Sequence, residues 1–120
     1  MLLGLFTRVD TIVVGVTDLE EATAWYKDVL EFEVLYQTKE YVVLQVGEGQ
    51  TPITIEEIDL AEVATTSTYP ILFANEIDAV HKTLQQRDVG VTPIENDGTN
   101  IFFSFRDPDG NKIEVCYFES

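Results

Sequence analysis

A chain of 120 residues, 45% of them hydrophobic, is long enough for one domain with a buried core and too apolar to stay disordered. Its 7 basic and 22 acidic residues leave a net charge of −15, which excludes nucleic acid and anionic membrane surfaces as partners, since both demand clustered Lys and Arg. No apolar run approaches the roughly 20 residues that span a bilayer.

In chain order, the opening Met1-Leu2-Leu3-Gly4-Leu5-Phe6 has no basic leader and is too short for a secretory signal. With Cys116 as the single cysteine, this predicts a reducing, cytoplasmic location and no internal disulfide. Ile12, Val14 and Val16 alternate with Thr11, Val13 and Gly15 and predict a first strand. Thr17 and Glu20 have capping-box spacing, with Asp18 as the competing N-cap. Leu19, Ala22, Tyr26, Val29 and Leu30 then follow helical spacing. Trp25 lies off that stripe and suits the back of a sheet or a subunit contact. Strands are predicted over 32–37, 41–46 and 53–58, with turn-prone Gly47-Glu48-Gly49-Gln50 before the last. Residues 59–68, including Ala64-Thr65-Thr66-Ser67-Thr68, read as a connector.

The second half repeats the plan. Tyr69 to Ala74 is strand-like, Ile77, Val80 and Leu84 mark a helix that Gly90 ends, and Val91 opens another strand. An offset of 58 residues pairs Thr11 with Tyr69, Asp18 with Glu76, Leu19 with Ile77 and Ala22 with Val80. The expected organisation is one domain over 1–120, with modules over about 9–58 and 69–118.

The chain closes on a predicted hairpin, 101–105 and 112–118. Asp107-Pro108-Asp109-Gly110 is its turn: proline fixes φ, aspartate caps the local backbone and glycine accepts φ > 0. Beyond it, Ile113, Val115 and Tyr117 share one face and Lys112, Glu114, Cys116 and Phe118 the other. Glu114 is thus a carboxylate in mid-strand, where acidic residues are disfavoured.

The string from Phe103 to Val115 resembles the closing hairpin of the vicinal oxygen chelate superfamily, the family of glyoxalases, bleomycin resistance proteins and extradiol dioxygenases. Val16-Thr17-Asp18-Leu19-Glu20-Glu21-Ala22, followed by Trp25 to Phe32, is similar to the same family. The resemblance covers about residues 9–118. It implies an α+β fold of paired βαβββ modules whose curved mixed sheets surround a cavity, and a homodimer. The glycine usual after the first helix of that family is Glu31 here, a departure that bears on the helix exit.

The resemblance also implies four inward-facing positions that hold a divalent metal in metal-dependent members, as histidines and glutamates. Here they fall on Thr11, seven residues before Asp18; on Tyr69, its counterpart; on Thr54, from aligning Ile53-Thr54-Ile55 with Ile113-Glu114-Val115; and on Glu114. Hydroxyls do not replace imidazole or carboxylate for zinc, nickel, manganese or iron, so no metal cofactor is expected. Asp10 and Glu56 are the carboxylates that a shift in alignment would bring in. A one-residue slip turns a side chain to the other face, which disfavours Asp10 and leaves Glu56 with Glu114 as the alternative metal pair.

Other chemistry is sparse. His81, the single histidine, sits at the edge of the second helix's apolar stripe and reads as a helix residue. Without a second histidine, a serine or cysteine nucleophile lacks its usual base. Cys116 shares a face with Glu114, whose charge raises a thiol pKa, and reads as packing. There is no glycine-rich phosphate loop. No catalytic residue is assigned.

If Glu114 faces the cavity, so do Cys116 and Phe118 on its strand and Phe102 and Ser104 on the next. Thr11, Val13, Thr54, Glu56 and Tyr69 then complete an apolar and aromatic wall with one or two carboxylates, a small-molecule site; core packing is the competing role for each aromatic. Aromatic faces beside carboxylates favour planar or cationic ligands. The acidic balance either serves solubility alone or draws in such a cation. The expected function is metal-independent binding of a small, cationic or aromatic molecule. The alternative is a metal-dependent lyase, isomerase or dioxygenase acting on vicinal oxygens.

Overall fold

The computed structural model describes residues 4–62 and 68–119, arranged as two units, 1–63 and 64–120. Each unit is a four-stranded mixed sheet with one helix, so the chain is α+β. Met1 to Leu3, Ser120 and, of the connector expected over 59–68, Val63 to Ser67 lie outside the described residues. Among the described residues no helix is long and apolar enough to cross a membrane.

In the first unit β1 (Ile12–Val16), α1 (Leu19–Leu30), β2 (Glu33–Gln37), β3 (Tyr41–Gln45) and β4 (Ile53–Glu57) give the sheet order β1-β4-β3-β2. The crossover through α1 lets β4 lie parallel to β1, while β3 runs antiparallel to both its neighbours. Period two puts Val14, Val16, Val42, Leu44, Ile53 and Ile55 on one face, where they are buried with Leu19, Ala22 and Tyr26 of α1. Asp18, not Thr17, is the N-cap: its carboxylate accepts from the Glu21 N–H at 3.0 Å. Glu57 adds a second acceptor, taking the Leu19 N–H at 3.1 Å. Glu31 closes α1 in the left-handed region with φ of 62°, the conformation for which glycine is the usual residue. A single 3-10 turn, Leu60–Glu62, lies within the stretch expected to be a featureless connector.

The second unit contains β5 (Ile71–Phe73), α2 (Ile77–Gln86), β6 (Glu95–Asn96), β7 (Ile101–Arg106) and β8 (Lys112–Tyr117), ordered β5-β8-β7-β6. The two helices begin 58 residues apart, as the repeat predicts. Three expectations need correction here. Tyr69, Pro70 and Ala74 fall outside β5, because the parallel ladder with β8 runs only from Ile71 to Phe73. The helix ends at Gln86, four residues ahead of Gly90, because Asp88 itself takes the left-handed conformation with φ of 62°. Val91 opens no strand: Thr92 alone pairs with β7, exchanging bonds with Ser104, and Pro93 interrupts the ladder before β6.

The turn between β7 and β8 is held by Asp107, which is 5% exposed. Its Oδ1 accepts from the Asp109 and Asn111 N–H groups at 3.0 and 2.8 Å, and its Oδ2 from the Asn111 side-chain amide at 2.8 Å. Gly110 takes φ of 90°, and its carbonyl accepts from Arg106 at 2.8 Å. Phe103, Phe105, Ile113 and Val115 form the buried face that packs under α2 with Ile77 and Leu84.

Candidate functional site

The expected site residues fall on the faces of the two sheets turned away from the helices. On the first sheet, the register lines up Val13, Thr54, Val43 and Tyr36 in one row and Gly15, Glu56 and Tyr41 in the next. Thr11 sits just ahead of β1, and its Oγ1 lies 2.7 Å from that of Thr54. It also donates to the Pro52 carbonyl at 3.1 Å. Two positions that would carry metal ligands therefore hold each other through their hydroxyls. Glu56 is exposed, and its side chain makes no hydrogen bond or ion pair among the described residues. Asp10 pairs with Arg8 at 3.4 Å on the surface and does not join this face.

On the second sheet, the rows are Ile71, Glu114 and Ser104, then Phe73, Cys116 and Phe102. Tyr69 precedes β5 and lies under the Lys112 ammonium, 4.1 Å from ring centroid to Nζ, so the third of the four positions is taken up by a cation–π contact. The half-buried Glu114 side chain carries no hydrogen bond among the described residues. Phe73 packs edge-on against Phe118 at 5.1 Å, giving this face an aromatic rim. Burial, and secondarily the Glu114 charge, push the Cys116 thiol above its ordinary pKa, so the thiolate is disfavoured.

His81 is a docking residue: its Nε2–H donates to the Thr92 carbonyl at 2.9 Å and its ring stands edge-on to Phe103 at 4.8 Å. Trp25 is half-buried, its ring 5.1 Å from Tyr26.

Tyr36, Tyr41 and Val43 on the first face, and Ile71 and Phe73 on the second, were not among the expected site residues. Alternation along β3 and the register with β4 identify Tyr41 and Val43. Tyr36 is different: strict alternation would send it to the same side as Val34. A bulge at Leu35 shifts the register between Val34 and Tyr36 and turns the tyrosine to the other face.

Taken sheet by sheet, the donors do not fit a transition metal. Among the described residues no group of three His, Cys, Asp or Glu converges. The first sheet offers two threonine hydroxyls, and the second a stacked tyrosine beside the single carboxylate of Glu114, where first-row metals take several imidazoles or carboxylates.

The family model described as the Glyoxalase/Bleomycin resistance protein/Dioxygenase superfamily matches residues 8–115. The chain belongs to that superfamily. A curated relative, biphenyl-2,3-diol 1,2-dioxygenase 3 of Rhodococcus globerulus, is 30% identical over 90% of this chain, which spans 62% of that enzyme's length. Among solved structures, TnmS3, an antibiotic binding protein from Streptomyces, superposes with a TM-score of 0.81 at 22% identity, covering 95% of this chain and 98% of that one. A superfamily member from Sphaerobacter thermophilus gives 0.78 at 25% identity, with 93% and 98% covered. FosX, a genomically encoded fosfomycin resistance protein from Listeria monocytogenes, gives 0.79 at 18% identity, with 96% of each chain covered. Proteins of this fold thus include an antibiotic binding protein and a fosfomycin resistance protein, and the curated relative is an enzyme.

Proposed function

We propose that this chain is a metal-independent member of the superfamily that binds a small aromatic or cationic molecule without transforming it. The observation that carries this reading is the Thr11–Thr54 hydroxyl pair closed onto the Pro52 carbonyl. A metal would have to break that pair and would gain only neutral oxygens in return. Tyr69 under Lys112 supports the same reading from the second sheet, since the ammonium occupies the ring and opposes a second cation nearby. The apolar and aromatic side chains beside Glu56 and Glu114 supply contact area with a few polar groups, as small-molecule sites do. The likeness to an antibiotic-binding fold is in keeping with it.

A metal-dependent dioxygenase-type enzyme is the second reading. It is favoured by the 30% identity to a biphenyl-2,3-diol 1,2-dioxygenase and by Glu114, a mid-strand carboxylate whose side chain makes no hydrogen bond among the described residues. One experiment separates the two. Protein purified without chelators or metal-affinity resin is analysed for metal by mass spectrometry and titrated with manganese, nickel, zinc and iron in a thermal-shift assay. Binding without metal predicts far less than one metal per chain and no shift. Near-stoichiometric metal, with stabilisation that Glu114→Ala abolishes, would instead support the enzyme.

A further inference from the structure

We propose that the face of the first sheet turned away from α1 is a subsite for an organic cation. Its ligand is a protonated amine or quaternary ammonium on an apolar body, with Glu56 as counter-ion and the Tyr36 and Tyr41 rings as wall. The inference rests on the small-molecule reading above and names the ligand group that this one surface selects.

Register brings these residues together. Glu56 stands directly opposite Tyr41 across β3 and β4, and side chains so paired have Cβ atoms roughly 5 Å apart. The bulge at Leu35 delivers Tyr36 to the same face, where its ring lies 6.2 Å from that of Tyr41 at 41°. On the other side of Glu56 stands Gly15, where the Ile58 side chain occupies the space a Cβ would take. The carboxylate therefore rises between an aliphatic patch and two rings. A carboxylate flanked by ring faces attracts a cation by two routes, Coulombic and cation–π.

The threonines add no free donor to the face: the Pro52 carbonyl takes the Thr11 proton, so the Thr54 hydroxyl donates to Thr11. Gln45 spends one of its two side-chain donors on the Gly47 carbonyl at 3.0 Å. The strands place no Lys, Arg or His on this face, and the unit holds 13 acidic against 3 basic residues. The second sheet differs: its corresponding face carries Lys112 and Arg106 near Glu114. A cation is thus unopposed on the first sheet and opposed on the second.

The test uses an isosteric pair, choline and 3,3-dimethylbutan-1-ol, which share a shape and differ in charge. Binding to the 120-residue chain is followed by NMR titration of the tyrosine ring signals. The expected result is about tenfold tighter binding of choline, the sum of one screened ion pair and an exposed cation–π contact. Glu56→Gln should cut that preference to the few-fold that the rings supply and leave the alcohol's affinity unchanged. Glu114→Gln should keep it whole. Equal affinities for the pair, a preference undiminished by Glu56→Gln, or one that vanishes with Glu114→Gln would each overturn the assignment. So would the absence of choline binding up to high millimolar concentration. In the last case the wider binding reading is judged separately, by thermal shift against uncharged planar aromatics. A hit there, without choline binding, leaves small-molecule binding intact and removes the cation subsite alone.

Discussion

In the first unit α1 runs for 12 residues and starts on two carboxylates, Asp18 and Glu57, each accepting a backbone N–H of the first turn. In the second unit α2 runs for 10 residues from Glu76, whose side chain makes no capping bond. The strands differ in the same sense: β1 pairs with β4 over five positions, β5 with β8 over three. The second unit has the longest ladder, β7 with β8 over six positions, and adds side-chain bonds at other places. Asp107 organises the β7–β8 turn, and His81 and Thr92 tie α2 and an irregular segment to β7. One strand-helix-three-strand plan is therefore fastened at the helix start and the β1–β4 ladder in one copy, and at the closing hairpin and the segment after the helix in the other. The teaching is that repeated topology does not require repeated interactions.

The largest expected effect bears on that contrast. Asp107→Ala removes the acceptor of two backbone N–H groups and one side-chain amide in a buried turn, and should cost about 2–4 kcal/mol in urea denaturation. The turn of the first unit, 47–50, is exposed and has no such centre. Glu48→Ala there should stay within about 0.5 kcal/mol. Equal losses at the two turns would show that the units do not differ in the way described.

The alternation of Ile113, Val115 and Tyr117 against Lys112 and Glu114, and the 58-residue spacing of the helices, were legible because period and offset are carried by the sequence itself. The Asp-Pro-Asp-Gly turn was legible because each residue type has its own conformational reason to be there. The second helix's end was misplaced because Gly90 is the stronger signal for a left-handed residue, while the chain uses Asp88. The strand after it was overextended because Val91 was read without the Pro93 that denies the ladder an N–H. At the site, Thr11, Thr54 and Glu114 were legible only through resemblance to a family. The hydroxyl pair that joins the threonines depends on the β1–β4 register, which no local pattern encodes. Tyr36 was missed because a single bulged residue reverses the side to which alternation assigns it.

Glycines give a second, smaller break. A Cβ on Gly15 would occupy the place of the Ile58 side chain, whose backbone N–H is fixed to the Val16 carbonyl at 2.8 Å. Gly15→Ala should cost about 1 kcal/mol, the low end of overpacking, because the atom in the way is the far end of the half-buried Ile58 side chain, which can turn aside. The double variant with Ile58→Ala should recover part of the loss, as a positive coupling in a double-mutant cycle. Gly90 in the second unit has nothing within reach of a Cβ and no positive φ. Gly90→Ala should be neutral or stabilise by about 0.4–1 kcal/mol, through the entropy of the unfolded chain.

The smallest effect separates the two helix starts. Asp18→Ala should cost about 1 kcal/mol by chemical denaturation, and Glu76→Ala no more than a few tenths, because only the first side chain accepts a bond from its helix. Asp18 and Glu57 serve neighbouring N–H groups of the same turn, Glu21 and Leu19, and both carboxylates lie at the positive end of the helix dipole. With Asp18 gone, Glu57 still answers part of that field. The double variant Asp18→Ala with Glu57→Ala should then lose more than the two single losses added together. Strict additivity would mean that the two carboxylates act on the first turn independently, each through its own N–H.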